Sequence, residues 1–130
     1  MRVGSTERDV RVLFVEDEPI IRVATAELLE DHGFDVTATC TGEEAVILLA
    51  ENDFDLLLTD VTMPGAIDGI GLSEHAREMH PGLPIVLVSG APGSEQRVQM
   101  LEQPTAFFLK PYDVDALVGV VERMALAAAD

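Results

Sequence analysis

Short apolar runs alternate along this chain with stretches in which apolar residues recur every three or four positions. Residues 10–15 are β-branched and apolar for the most part, as a buried parallel strand should be. Pro19 suits the first turn of a helix, and residues 20–31 carry apolar side chains at helical spacing. Gly33 fits the cap that ends it. Residues 34–39 read as a second strand. Thr41, followed three positions later by Glu44, has the form of a capping box ahead of a helix to about residue 52. Residues 55–60 contain Leu56-Leu57-Leu58 and predict a third strand, and residues 69–80 a third helix. Residues 84–89, with Ile85-Val86-Leu87-Val88 at their centre, predict a fourth strand. Residues 91–104 are irregular: Pro92, Gly93 and Pro104 bound a short helix near 94–102. Residues 106–109 form a short fifth strand. Val114, Leu117, Val118, Val121, Met124 and Ala125 then trace one stripe of a closing helix.

Five strand–helix units in series argue for an α/β fold with a five-stranded parallel sheet and helices on both faces. Right-handed crossovers leave few topologies, and the leading one is the flavodoxin-like strand order 2-1-3-4-5. No linker or internal repeat interrupts the series. The expected organisation is a flexible N-terminal tail over residues 1–9 and a single domain over 10–128.

Composition narrows the function. The length of 130 residues suits one hydrophobic core. No apolar run reaches the ~18 residues needed to span a bilayer, and the polar start lacks the apolar stretch of a secretory signal. Cys40 is the only cysteine, so no internal disulfide can form, and a cytoplasmic setting is the simple expectation. Twenty-four acidic residues face eight basic ones, a formal net charge of −16. Nucleic-acid binding needs Lys and Arg against phosphates, so it is not expected here. Most of the acid reads as solvated surface. Among the basic residues there is one lysine, Lys110, at the end of an apolar run.

In a sheet of this kind ligands gather beyond the carboxyl ends of the strands. The first strand ends in Glu16-Asp17-Glu18, the third in Asp60, the fourth in Ser89-Gly90 and the fifth in Lys110-Pro111. Carboxylates, a hydroxyl and an ammonium therefore converge on one edge. Crowded carboxylates repel unless a cation joins them, and Mg²⁺ favours a few carboxylates together with phosphate oxygens. A carboxylate can attack phosphorus to give an aspartyl phosphate. Such transfer needs mainly positioning and charge neutralisation, for which Lys110 and Ser89 are suited. Asp60, on a central strand between the acidic pair and Ser89, is the best-placed nucleophile.

With these residues in place the sequence resembles the receiver domains of two-component response regulators, the CheY-like superfamily, over about residues 11–125. The resemblance rests on Val15-Glu16-Asp17-Glu18, Leu58-Thr59-Asp60-Val61-Thr62-Met63-Pro64-Gly65, Val88-Ser89-Gly90 and Leu109-Lys110-Pro111, in order at the right strand ends. It implies that Asp60 is the phosphoacceptor, fed by a phosphohistidine on a histidine kinase or histidine phosphotransfer protein. It implies Mg²⁺ held by Glu16, Asp17, Asp60 and the backbone carbonyl of Thr62. Ser89 would move to meet the phosphoryl group, Lys110 would pair with it, and Phe107 would be the switch aromatic whose ring follows Ser89 inward. The face formed by the fourth helix, fifth strand and fifth helix would then change for a downstream protein target, and the same face allows a homodimer. The protein would not be an enzyme beyond catalysing its own phosphoryl transfer and autodephosphorylation. Departures from the pattern are Glu16 where Asp is also common, a longer loop over residues 65–69, and the irregular segment 91–104. A short, stand-alone response regulator fits the whole.

Other readings are weaker. Asp60 alone reads equally as a strand-end cap, Glu16 and Asp17 as acids that suit a helix N-terminus, Lys110 as a surface lysine, Ser89 as a small residue at a strand exit, and Phe107 as plain core. An aspartate-nucleophile phosphatase resembling the haloacid dehalogenases needs a second Asp where Thr62 stands. A receiver-like interaction module, or a phosphate sink without its own output, remains the alternative. His32, His75 and His80 lack metal-like spacing and read as surface residues. Gly69-Ile70-Gly71 is not a dinucleotide loop. Cys40 and the methionines read as packing residues.

Overall fold

The computed structural model describes residues 9–129. The flexible tail expected over residues 1–9 therefore lies, Asp9 apart, outside the described residues. In chain order the elements are β1 (Arg11–Val15), α1 (Pro19–Asp31), β2 (Asp35–Thr39), α2 (Gly42–Glu51), β3 (Leu56–Asp60), α3 (Gly69–Met79), β4 (Ile85–Ser89), α4 (Ser94–Gln99), β5 (Thr105–Leu109) and α5 (Val114–Ala129). All strand pairs are parallel, in the order β2-β1-β3-β4-β5.

The pleat of the strands sorts the core into two layers, since successive side chains point to opposite faces. Val12, Phe14, Leu56, Leu58, Val86 and Val88 face one side, where Leu29 of α1 and Leu117 and Val121 of α5 cover them. Leu13, Val15, Leu57, Ile85 and Leu87 face the other, beneath Leu49 of α2, Leu72 of α3 and Val98 of α4. Strands β3 and β4 are buried at every position, which explains their unbroken apolar runs. β5, at the sheet edge, is only half-buried and leaves Leu109 exposed.

The helix starts follow local chemistry. Glu18 caps α1 by accepting from the Ile20 amide, with Pro19 next in line. Thr41 caps α2, accepting from the Glu44 amide at 3.1 Å. The reciprocal half of the expected capping box is absent: the Glu44 carboxylate accepts instead from the Thr39 hydroxyl at the end of β2. Asp68 caps α3, accepting from the Gly71 amide at 2.9 Å.

Three further expectations are corrected. α4 spans six residues and stops short of the expected 102. Its first residue follows Gly93 at φ +83°, and no side chain caps it. Met100, just past its end, is 86% exposed and fills no core. His80 is half-buried rather than on the surface, its Nε2 lying 2.9 Å from the Leu49 carbonyl, so it joins the ends of α2 and α3. The segment before β5 is irregular, as its prolines suggest, and Arg77 of α3 clamps it. The guanidinium donates to the carbonyls of Leu83, Glu102 and Pro104 and to the Thr105 hydroxyl.

A candidate phosphoacceptor pocket at the carboxyl edge of the sheet

Asp60 ends β3, and the backbone of the next residue, Val61, is hydrogen-bonded through both its amide and its carbonyl. The Val61 amide donates to Val88 of β4 at 2.9 Å, and the Gly69 amide returns to the Val61 carbonyl at 2.8 Å. That return draws the start of α3 so close that a Cβ on residue 69 would lie 1.9 Å from the Asp60 carbonyl oxygen. Only glycine fits there, for want of space. The loop leaving Asp60 is tied at Ala66, whose amide donates to Glu43 of α2.

The acidic partners arrive from the end of β1. Glu16 is as buried as Asp60, while Asp17 stays exposed. One carboxylate oxygen from each of Glu16, Asp17 and Asp60 lies within 4.8 Å of the others. The loop carrying them is fixed by the Glu18 amide donating to Glu16 Oε2 at 3.0 Å. Arg22 of α1 adds a second hold, donating to the Glu16 carbonyl at 2.8 Å.

Lys110 reaches in from the end of β5, its amide donating to the Ser89 carbonyl at 2.9 Å. Its Nζ lies 2.7 Å from Asp60 Oδ1 and 3.4 Å from Glu16 Oε1. Burial works against the ammonium, but the hydrogen bond and charge of Asp60, then Glu16, outweigh it and hold Lys110 above its ordinary pKa. Burial and the adjacent Asp60 push Glu16 up, against the Glu18 amide and Lys110. Three carboxylates thus face one ammonium. An oxygen-only donor set with surplus negative charge fits a hard divalent cation such as Mg²⁺.

The remaining expected residues are placed less uniformly. Ser89 sits one position beyond the β4 residue paired with Asp60. Its hydroxyl is turned toward α4, 2.8 Å from the Ser94 hydroxyl, and accepts from the Ala91 amide at 3.0 Å. Phe107, in register with Leu87, is half-buried against the layer that contains Val98. Thr62 is exposed at the start of the loop after β3. The pocket also draws on residues that the sequence did not single out. Arg22 is legible only as a helix residue, and Ser94 only as a helix start. Tyr112, half-buried past Lys110, is hydrogen-bonded to Thr25 of α1, so the loop after β5 is anchored to the helix after β1.

The family model described as response regulator receiver domain matches residues 12–122. The response regulator protein FleR of Pseudomonas aeruginosa is 35% identical over 117 residues, covering 89% of this chain and 24% of that protein. The chain thus spans about a quarter of the length of the curated relatives it matches. Among solved structures, a response regulator receiver protein from Sinorhizobium medicae aligns with a TM-score of 0.85 at 29% identity, over 92% of this chain and 97% of that one. The receiver domain of the hybrid histidine kinase CckA aligns with a TM-score of 0.76 at 38% identity, over 88% and 98%.

Proposed function

The chain belongs to the response regulator receiver domain family, and on that premise we propose that it is a phosphorylation switch whose phosphoacceptor is Asp60. The observation that carries the reading is the meeting of three carboxylates within 4.8 Å with an ammonium 2.7 Å from Asp60 Oδ1. A carboxylate pocket meant only for structure would pair its charges; this one keeps a surplus.

In the proposed reaction a carboxylate oxygen of Asp60 attacks the phosphorus of a phosphohistidine. The new O–P bond forms as the P–N bond breaks, and the electron pair returns to the imidazole nitrogen. The donor is a histidine kinase or histidine phosphotransfer protein. Glu16, Asp17, Asp60 and the Thr62 carbonyl would hold Mg²⁺, which when bound offsets the charge of the phosphoryl oxygens. Lys110 transfers its attraction from Asp60 Oδ1 to a phosphoryl oxygen, acting as a point charge. Ser89 donates its hydroxyl proton to another, and Phe107 follows into the space that Ser89 leaves. The altered face around α4, β5 and α5 is then read by a downstream protein. The chain catalyses its own phosphorylation and hydrolysis and turns over no other substrate. The setting is the cytoplasm; no helix among the described residues is long and apolar enough to cross a membrane.

The test is incubation with Mg²⁺ and a small phosphodonor such as acetyl phosphate, followed by intact mass measurement. Wild type gains the mass of one phosphoryl group and Asp60→Asn gains none. An unmodified wild type, or an equal gain in both proteins, would overturn the assignment.

A further inference from the structure

We propose that Ser94 is a latch: in the resting chain it holds the Ser89 hydroxyl off the phosphoryl site, and phosphorylation frees the first turn of α4 by taking Ser89 away. The inference rests on the reading of Asp60 as phosphoacceptor and adds a positioning residue to it.

Both serines are nearly sealed from water, Ser89 at 3% and Ser94 at 4% exposure. A buried hydroxyl without a partner is costly, so such groups are almost always hydrogen-bonded. Ser89 is the one hydrogen-bond partner of the Ser94 hydroxyl among the described residues, at 2.8 Å. Ser89 also accepts from the Ala91 amide at 3.0 Å. These two bonds fix the direction of the Ser89 hydroxyl, and Asp60 is engaged by Lys110 instead. A phosphoryl group on Asp60 competes for that same Ser89 hydroxyl. When Ser89 turns to it, the bond to Ser94 breaks. The Ser94 hydroxyl is then a buried group with no partner, a state relieved when residue 94 moves toward solvent.

The rest of α4 makes the loss count. With six residues it is too short to persist on its own helical propensity. No side chain caps it at Gly93. Among the described residues its other side-chain attachments are Val98, buried beneath the sheet, and Arg97, whose Nη2 meets Asp68 Oδ2 at 2.6 Å. Both lie on the second half of the helix. Breaking the Ser89–Ser94 bond thus releases the start of α4 while Arg97 and Val98 keep its end, and the motion is a pivot rather than a detachment.

The experiment measures beryllofluoride binding, with Mg²⁺ present, to wild type, Ser94→Ala, Ser89→Ala, the double variant and Asp60→Asn. It also measures amide hydrogen exchange over residues 94–99. Without the latch Ser89 has one bond fewer to give up, that to Ser94, so Ser94→Ala should bind about three- to tenfold more tightly, the range of one ordinary hydrogen bond. Its α4 amides should exchange faster before any beryllofluoride is added. In the Ser89→Ala background the Ser94 substitution should change affinity little, as a shared pathway requires. A purely structural role for Ser94 would leave affinity unchanged or weaken it. Wild type binding that does not depend on Asp60 overturns the phosphoacceptor and the latch together. Asp60-dependent binding with no tightening in Ser94→Ala overturns the latch alone, as does a tightening that persists without the Ser89 hydroxyl.

Discussion

The two flanks of the pocket are held in different ways. On the β1–β3 flank the backbone is fixed several times over: the Glu18 amide and Arg22 hold the acidic loop, and Gly69 lets α3 close onto Asp60. On the β4–β5 flank, a six-residue helix leans on one serine pair, one buried valine and one exposed ion pair. The difference separates tasks. Charges that must stay crowded need a frame that does not yield. A response that must propagate needs a part whose few ties can be exchanged one for another.

The sharpest way to break this comparison is to intrude on the rigid flank. Gly69→Ala drives a methyl group to 1.9 Å from the Asp60 carbonyl oxygen and 2.8 Å from the Val61 Cα, both of them backbone atoms. It should cost about 3 kcal/mol, at the upper end of ordinary overpacking, read as a lowered midpoint in urea unfolding. A loss under about 1 kcal/mol would mean that this flank yields after all.

Next in size is Arg77→Ala, which removes the clamp between α3 and the segment before β5. Loss of a partly buried guanidinium that serves several carbonyls should cost about 2 kcal/mol. Hydrogen exchange should quicken over residues 101–106 and stay unchanged over 12–16 and 56–61. Equal loosening of both regions would erase the distinction between the flanks.

The smallest effect concerns the Arg97–Asp68 tie. Burial opposes ionisation of Asp68, but the Gly71 amide and the Arg97 guanidinium outweigh it and hold the carboxyl below its ordinary pKa. A carboxyl depressed in the folded state stabilises above its unfolded pKa and loses that contribution as pH falls through its folded one. Asp68→Asn keeps a capping oxygen and removes the charge. Wild type should exceed it by about 0.5 kcal/mol at neutral pH, since the pair is solvent-screened. Chemical unfolding in steps below about pH 4 should show that margin closing; a margin that widens instead would refute the assignment.

Much of this was legible in the chain itself. Strand order, the two-layer core and the meeting of Glu16, Asp17, Asp60 and Lys110 follow from apolar runs and from what each run ends in. Features that depend on distance in space were not. Ser94 looked like any small residue opening a helix, because nothing in the intervening Gly90-Ala91-Pro92-Gly93 tells where its hydroxyl will point. Glu44 had the spacing of a capping partner, yet the buried Thr39 hydroxyl won its carboxylate. The prolines before β5 signalled only an irregular segment, since the guanidinium that ties it comes from another helix. Gly69 gave no sign that its missing side chain was space already taken by Asp60.

Lys110 has one more consequence, for whoever handles the protein at the bench. It is the chain's only lysine, so an acylating reagent directed at amines finds a single side-chain target. That target is held protonated between Asp60 and Glu16, and a protonated amine is no nucleophile. The speed with which position 110 is acylated therefore records how tightly the two carboxylates grip it, and the pocket carries its own chemical gauge without any label being installed.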